Sequence, residues 1–261
     1  MENSILARMR GFKDWFRGYE ENFVIIGGAA CSLIMSEIEL DFRPTKDMDI
    51  VLLVEAMKKD FGRVFWDYVL AAGYQHCQKS TEKPQFYRFY EPISKDYPEM
   101  IELFSRRIDG LVLPTDAVIT PIPISDDVSS LSAILLNDDY YHFLKGGVRV
   151  IDDLPVLDEL RMIPFKAKAW LDLSERKNRI GDVDSNDIRK HKRDIYRMTD
   201  IIGEGYKFTL PGAVEKDMCV YIAAAWDSLK NTPRKERKAE QTRIGKIITF
   251  FDLPVTTNVQ S

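Results

Sequence analysis

Two acidic residues stand at alternate positions at the head of the run Asp47-Met-Asp-Ile-Val-Leu-Leu-Val54, and no other stretch constrains the fold as tightly. In a β-strand, residues i and i+2 share a face, so Asp47 and Asp49 project together while Met48, Ile50 and Leu52 point into a core. Asp is disfavoured in strands and neighbouring like charges repel, so the pair calls for a cation. The apolar residues that follow suit a central strand. The plainer alternative is a solvent-facing edge strand whose acids only keep a sheet soluble.

The stretches around this strand supply the rest of a small mixed domain. Ile5, Met9, Phe12 and Phe16 recur at helical spacing and predict an amphipathic opening helix. Asn22-Phe-Val-Ile-Ile-Gly-Gly28 is a short apolar run ending in two glycines, and Ala29 to Ser36 reads as a helix, giving strand, tight turn and helix. Backbone N–H groups at Gly27 and Gly28 could then approach a phosphate at the helix N-terminus. Met57 to Ala72 suits another helix, ended by Gly73. Alternation at Gln85-Phe-Tyr-Arg-Phe-Tyr90 and Met100-Ile-Glu-Leu-Phe104 predicts paired strands. In the second of these, Glu102 is isolated between Ile101 and Leu103, where it could join the two aspartates from a neighbouring strand.

Beyond Leu113 the pattern is broken by Pro114, Pro121 and Pro123, and the short runs near 131 and 148 are ambiguous. From about Pro155 the pattern turns helical. Ile188, Ile195, Met198 and Ile202 fall on one helical face behind the caps Asp184 and Ser185, and Gly203 and Gly205 close that helix. Two more helices are expected over 212–230 and 233–251, with the residues from Thr256 to Ser261 frayed. The fold class is therefore α+β: a mixed β-sheet domain with flanking helices over residues 1–153, followed by a helical domain over 154–261.

Composition narrows the partners. The 261 residues carry 37 Lys and Arg against 41 Asp and Glu, a net charge of −4, so any nucleic-acid contact must come from local patches. No run of roughly 18 uncharged apolar residues suits a membrane span, and the opening segment lacks the pattern of a signal peptide. Cys31, Cys77 and Cys219 form no disulfide framework, which points to a reducing, cytoplasmic setting. The scattered His76, His142 and His191 argue against zinc. Three carboxylates suit Mg²⁺, which takes oxygen ligands and shares them with substrate phosphates.

The pattern apolar-Gly27-Gly28, then Arg43-Pro-Thr-Lys-Asp-Met-Asp-Ile50, then an isolated acid in a later strand resembles the nucleotidyltransferase superfamily typified by DNA polymerase β. The closer resemblance is to its bacterial AbiEii-like branch, which includes toxins of type IV toxin–antitoxin systems. It spans most of residues 22–200. The resemblance implies that Asp47, Asp49 and Glu102 are catalytic metal ligands for Mg²⁺, with two ions possible, and that Glu102 helps activate the incoming hydroxyl. It also implies that Gly27 and Gly28 hold the triphosphate of a nucleoside triphosphate, with Ser32 standing in for the serine often found at the position of Gly28. Phe165-Lys-Ala-Lys168 and Asp187-Ile-Arg-Lys-His-Lys-Arg-Asp194 resemble the lysine-bearing and Arg-Asp segments of that branch. By that likeness Lys166, preferred over Lys168, neutralises phosphate while Asp194 orients it through a salt bridge.

The expected activity is Mg-dependent transfer of a nucleoside monophosphate to an acceptor hydroxyl on RNA or tRNA, a protein or a small molecule. A neutralising antitoxin is a possible partner by the same likeness. Other readings stay open. A non-catalytic descendant would bind nucleotide or a partner without releasing pyrophosphate, and a phosphohydrolase would use the same acids on water. Each lysine could equally belong to a solvated helix face, as could Arg234-Lys-Glu-Arg-Lys238.

Overall fold

The computed structural model describes residues 5–56, 58, 60–76, 88–104, 134–135, 137–181 and 183–254. They fall into two compact units, Met1–Leu136 with Lys145–Asp158, and Asn137–Leu144 with Glu159–Ser261. The architecture is α+β. The division falls after Asp158 rather than between residues 153 and 154, because those two positions sit at the tip of a hairpin whose strands, Val148–Ile151 and Leu154–Leu157, are paired through Ile151 and Leu154.

In the first unit, helix α1 (Ile5–Trp15) buries Ile5, Met9 and Phe12, and the fully buried Phe16 follows it. The apolar spacing read from the sequence is thus the packed face. Strand β1 (Phe23–Ile26) is buried throughout and runs directly into α2 (Gly27–Glu37). Strand β2 (Asp47–Leu52) buries Met48, Ile50, Val51 and Leu52. Helix α3 (Phe61–Ala71) starts later than the pattern from Met57 suggests, since Val54–Ala56 form a 3₁₀ turn. Phe12, Phe16, Phe23, Phe61, Phe65 and Tyr68 pack as one cluster, with ring centroids 4.3 Å apart for Phe12 and Phe16 and 5.3 Å for Phe16 and Tyr68. Edge-to-face pairs such as Phe12 and Tyr68, inclined at 86°, are the favoured arrangement for aromatic rings.

Short β3 (Gln75–His76), β4 (Arg88–Tyr90) and β5 (Met100–Phe104) complete one side of the sheet. After helix α4 (Asp138–Lys145), the β6–β7 hairpin (Val148–Ile151 and Leu154–Leu157) completes the other. Among the described residues, the order across the seven strands is β3-β4-β5-β2-β1-β7-β6. β2 is the fourth of them, antiparallel to β1 and parallel to β5, so the sheet is mixed and the edge-strand alternative is excluded. The paired strands expected at 85–90 and 100–104 are seen at 88–90 and 100–104, antiparallel. The proline-broken stretch beyond Leu113, the run near 131, Cys77, Met57, residues 85–87 and the tail from Thr256 lie outside the described residues.

The described elements of the second unit are helices: residues 138–144 of α4, then α5 (Glu159–Ile180), α6 (Ser185–Ile201), α7 (Gly212–Ser228) and α8 (Arg234–Phe250). Asp184 caps α6 as its sequence position suggests, its Oδ1 accepting the Asn186 N–H at 2.9 Å. On α6, Ile195 and Met198 are fully buried. Arg189, Arg193 and Arg197, each four residues from the next, share an exposed stripe of the same helix. No helix among the described residues is long and apolar enough to cross a membrane.

Candidate functional site

The strand register puts the acids on one face. β2 and β5 run parallel with Asp49 opposite Glu102 and Asp47 opposite Met100, so all three carboxylates leave one face of the sheet. Across the same row, Ile26 of β1 pairs with Asp49 and Arg88 of β4 pairs with Glu102. Adjacent strands lie about 4.8 Å apart, so Arg88, Glu102 and Asp49 form a charged row leading to the start of α2. The opposite face carries Met48, Ile50, Ile101 and Leu103, all buried, which fixes the orientation of both strands. A slip of one residue would bury the acids and expose this apolar set.

Gly27 and Gly28 stand where that row meets the N-terminus of α2. Gly27 has φ +69°, and a Cβ built on it would lie 1.9 Å from Asp49 Oδ2 and 2.9 Å from its Cγ. A Cβ on Gly28 would lie 2.7 Å from Thr45 Oγ1 and 3.4 Å from Arg43 Nη2. The missing side chains therefore admit the chain's own Asp49, Thr45 and Arg43 to the helix N-terminus, where the dipole favours negative charge. Thr45 and Arg43 sit in the sequence pattern quoted above, but nothing in residue spacing says that they close over these glycines.

Ser32 lies one turn into α2, is buried, and donates its hydroxyl proton to the Gly28 carbonyl at 3.1 Å. That proton is already engaged within the helix, so the arrangement does not show Ser32 presented as a phosphate donor. Glu102 also has a partner that sequence reasoning missed: Arg88 Nε donates to Glu102 Oε1 at 2.7 Å, and Arg88 Nη2 lies 2.5 Å from the same oxygen. The signal was legible in principle, since Arg88 is the cation in an otherwise aromatic strand, but its register against Glu102 was not.

A latch holds the heads of the two acidic strands. Glu99 is ion-paired with Arg8 Nη1 and Lys46 Nζ, each at 3.0 Å, and its N–H donates to the Lys46 carbonyl. Lys46 foremost, and Arg8 after it, pull the Glu99 carboxyl below its ordinary range against a smaller opposing effect of burial. Among the described residues no three His, Cys, Asp or Glu side chains are gathered as a ready-made metal cage. Even so, the donor set suits a hard cation: three carboxylates leave one face, and a cradle beside them would be filled by a single Cβ.

In the second unit Lys166 Nζ lies 3.1 Å from Asp194 Oδ2, and both side chains are almost wholly buried. The salt bridge expected between these residues is present. Lys168 belongs to a different group, 3.0 Å from Asp172 and 3.6 Å from Asp217, and Asp217 also accepts from Tyr140 at 3.0 Å. Burial lowers the Lys168 pKa, but the two carboxylates outweigh it and the net shift is upward.

Compared with known proteins, the chain matches no family model, no curated protein and no solved structure. The family likeness of its sequence pattern thus stands as a resemblance, and the functional reading rests on the site.

Proposed function

We propose that this chain is a Mg-dependent nucleotidyltransferase that moves a nucleoside monophosphate from a nucleoside triphosphate to an acceptor hydroxyl. The supporting observation is the register of Asp49 against Glu102 with Asp47 on the same face, on the central strand of the sheet and beside a glycine-opened helix N-terminus. Asp47, Asp49 and Glu102 would hold divalent metal, and the amides at Gly27 and Gly28 would face the phosphates. Bound there, Mg²⁺ would lower the pKa of the attacking hydroxyl and offset charge on the leaving oxygen. The acceptor oxygen forms a bond to the α-phosphorus, the bond to the β-phosphate bridging oxygen breaks, pyrophosphate leaves, and the hydroxyl proton passes to a carboxylate or to solvent. Positioning and electrostatics supply most of the rate in such a step. The buried Lys166–Asp194 pair belongs to the second unit, and the proposal for the first unit does not depend on it.

One observation favours the non-catalytic reading instead. Asp49 lies against a helix N-terminus and Glu102 is paired with Arg88, so acids that the enzyme reading gives to metal have structural partners within the fold. Product analysis separates the readings. The protein is incubated with Mg²⁺, each labelled nucleoside triphosphate and total cellular RNA or protein, and the label is followed. Transfer to an acceptor with pyrophosphate release, lost in Asp47→Asn and Asp49→Asn variants of unchanged circular dichroism, supports the enzyme. Binding without release supports the non-catalytic descendant, and orthophosphate without a labelled acceptor supports a phosphohydrolase. Normal transfer by both Asn variants would remove the mechanism.

A further inference from the structure

The charged row of Asp49, Glu102 and Arg88 has a neighbouring row on the same face. The register places Asp47, Met100, Tyr90 and Gln75 side by side across β2, β5, β4 and β3. Met48, Ile101 and Phe89, which fall between the two rows, are buried on the opposite face, so Met100, Tyr90 and Gln75 leave the sheet on the side of the acids. Met100 and Tyr90 are half-buried and Gln75 is exposed. Building on the nucleotidyltransferase reading above, we propose that these three residues receive the acceptor. The acceptor is a nucleoside whose base lies on Tyr90 and Met100 and whose sugar supplies the attacking hydroxyl.

The direction of the reaction carries this. The glycine-opened N-terminus of α2 follows β1 on one flank of β2, and the donor's phosphates face it. Pyrophosphate therefore leaves toward β1. In an in-line displacement the attacking oxygen stands opposite the leaving one, so the acceptor hydroxyl enters from the other flank, over β5, and the group that carries it extends over β4 and β3. Its oxygen bonds to the α-phosphorus, the bond to pyrophosphate breaks, and the hydroxyl proton passes to a carboxylate or to solvent. Tyr90 lies one strand beyond β5, about 4.8 Å, close enough for a base on its ring to keep the attached sugar at the acids. The side chains suit a base better than a plain ring. A phenol and a thioether offer a flat, polarisable surface for stacking, and the Gln75 amide both donates and accepts, as the edge of a base does. An aromatic side chain of a protein acceptor would use the stacking surface and leave the amide without a counterpart.

The test uses the full chain with Mg²⁺ and α-labelled nucleoside triphosphate, and follows transfer of label to total cellular RNA. Binding of the same nucleotide without RNA is measured alongside by equilibrium dialysis. Tyr90→Ala should raise the RNA concentration for half-maximal transfer about tenfold, toward the low end for one lost base stack, with kcat little changed and nucleotide binding unchanged. Tyr90→Phe, which keeps the ring, should behave as the wild type. Gln75→Ala, at an exposed position where the fold is not at stake, should raise that concentration about fivefold through one lost hydrogen bond. Weaker nucleotide binding in Tyr90→Ala would give the ring to the donor and overturn the proposal. A half-maximal concentration unmoved in Tyr90→Ala or in Gln75→Ala would overturn it too, as would wild-type transfer to protein and none to RNA. Each of these results leaves transfer itself, and so the nucleotidyltransferase reading, in place. Absence of wild-type transfer to any acceptor would remove that reading and the acceptor site together.

Discussion

Gly27→Ala gives the sharpest test of the geometry at the head of α2. The added methyl meets two separate penalties. At φ +69° an alanine is held in the left-handed region, which costs about 1–2 kcal/mol. Its Cβ would also stand 1.9 Å from Asp49 Oδ2 and 2.9 Å from Cγ, far inside contact distance, and overpacking of this kind costs about 1–3 kcal/mol. The two together give about 2–5 kcal/mol, a large share of the total for a domain of ordinary stability. Because the penalties have different sources, a double-mutant cycle separates them. In an Asp49→Ala background the offending oxygen and Cγ are gone, so Gly27→Ala should retain the backbone cost and only the lesser contact with the Cβ of residue 49 at 3.3 Å. Gly28→Ala is the companion, since it meets only Thr45 and Arg43 side chains and has no left-handed φ, and it should cost less than Gly27→Ala. Urea unfolding of the four cycle members and of Gly28→Ala would supply the free energies. An equal penalty for Gly27→Ala in both backgrounds would show that Asp49 does not lie over the glycine.

Removing one member of the buried pair, by Lys166→Met or Asp194→Leu, should cost about 3–5 kcal/mol because the other charge is left buried and unpaired; the double variant should recover most of that in the same unfolding assay. Lys168→Met, at a more exposed site, should cost less. Glu99 has a folded-state pKa below its unfolded value, so its contribution is present above the unfolded carboxylate pKa of about 4.3 and is lost as pH falls through the lower folded value. Glu99→Gln should therefore flatten the acid limb of a melting-temperature profile below about pH 4.3 and change the neutral region less. If RNA is the acceptor, the Arg189–Arg193–Arg197 stripe should make binding weaken steeply with added salt, and Arg193→Ala should reduce that slope by roughly one; salt-independent affinity would exclude the stripe from RNA binding.

What the sequence disclosed was set by period. Ile5, Met9, Phe12 and Phe16 needed only the helical repeat to be read, and the alternation from Asp47 to Leu52 needed only the strand repeat. Asp184 was legible as a cap because capping is a local bond to a residue two positions on. The hairpin at 148–157 was missed because its buried strand Leu154-Pro-Val-Leu157 lacks alternation and its turn is Asp152-Asp153, both at positive φ, without the glycine that usually marks such a turn. At the site, the three acids could be proposed from their places in two strands, but which residue opposes which is a long-range fact. The pairing of Arg88 with Glu102 and the approach of Thr45 to Gly28 follow from register and loop path, neither of which is written in any short window.

The placement of β2 as the fourth of the seven described strands has a consequence for how long the acids stay in position. Hydrogen-bonded on both flanks and buried at Met48, Ile50, Val51 and Leu52, it belongs to the part of a domain whose amides exchange with deuterium only when the whole unit opens. The spacing of Asp47 and Asp49 should thus be kept through every partial fluctuation of the molecule and vanish only with cooperative melting.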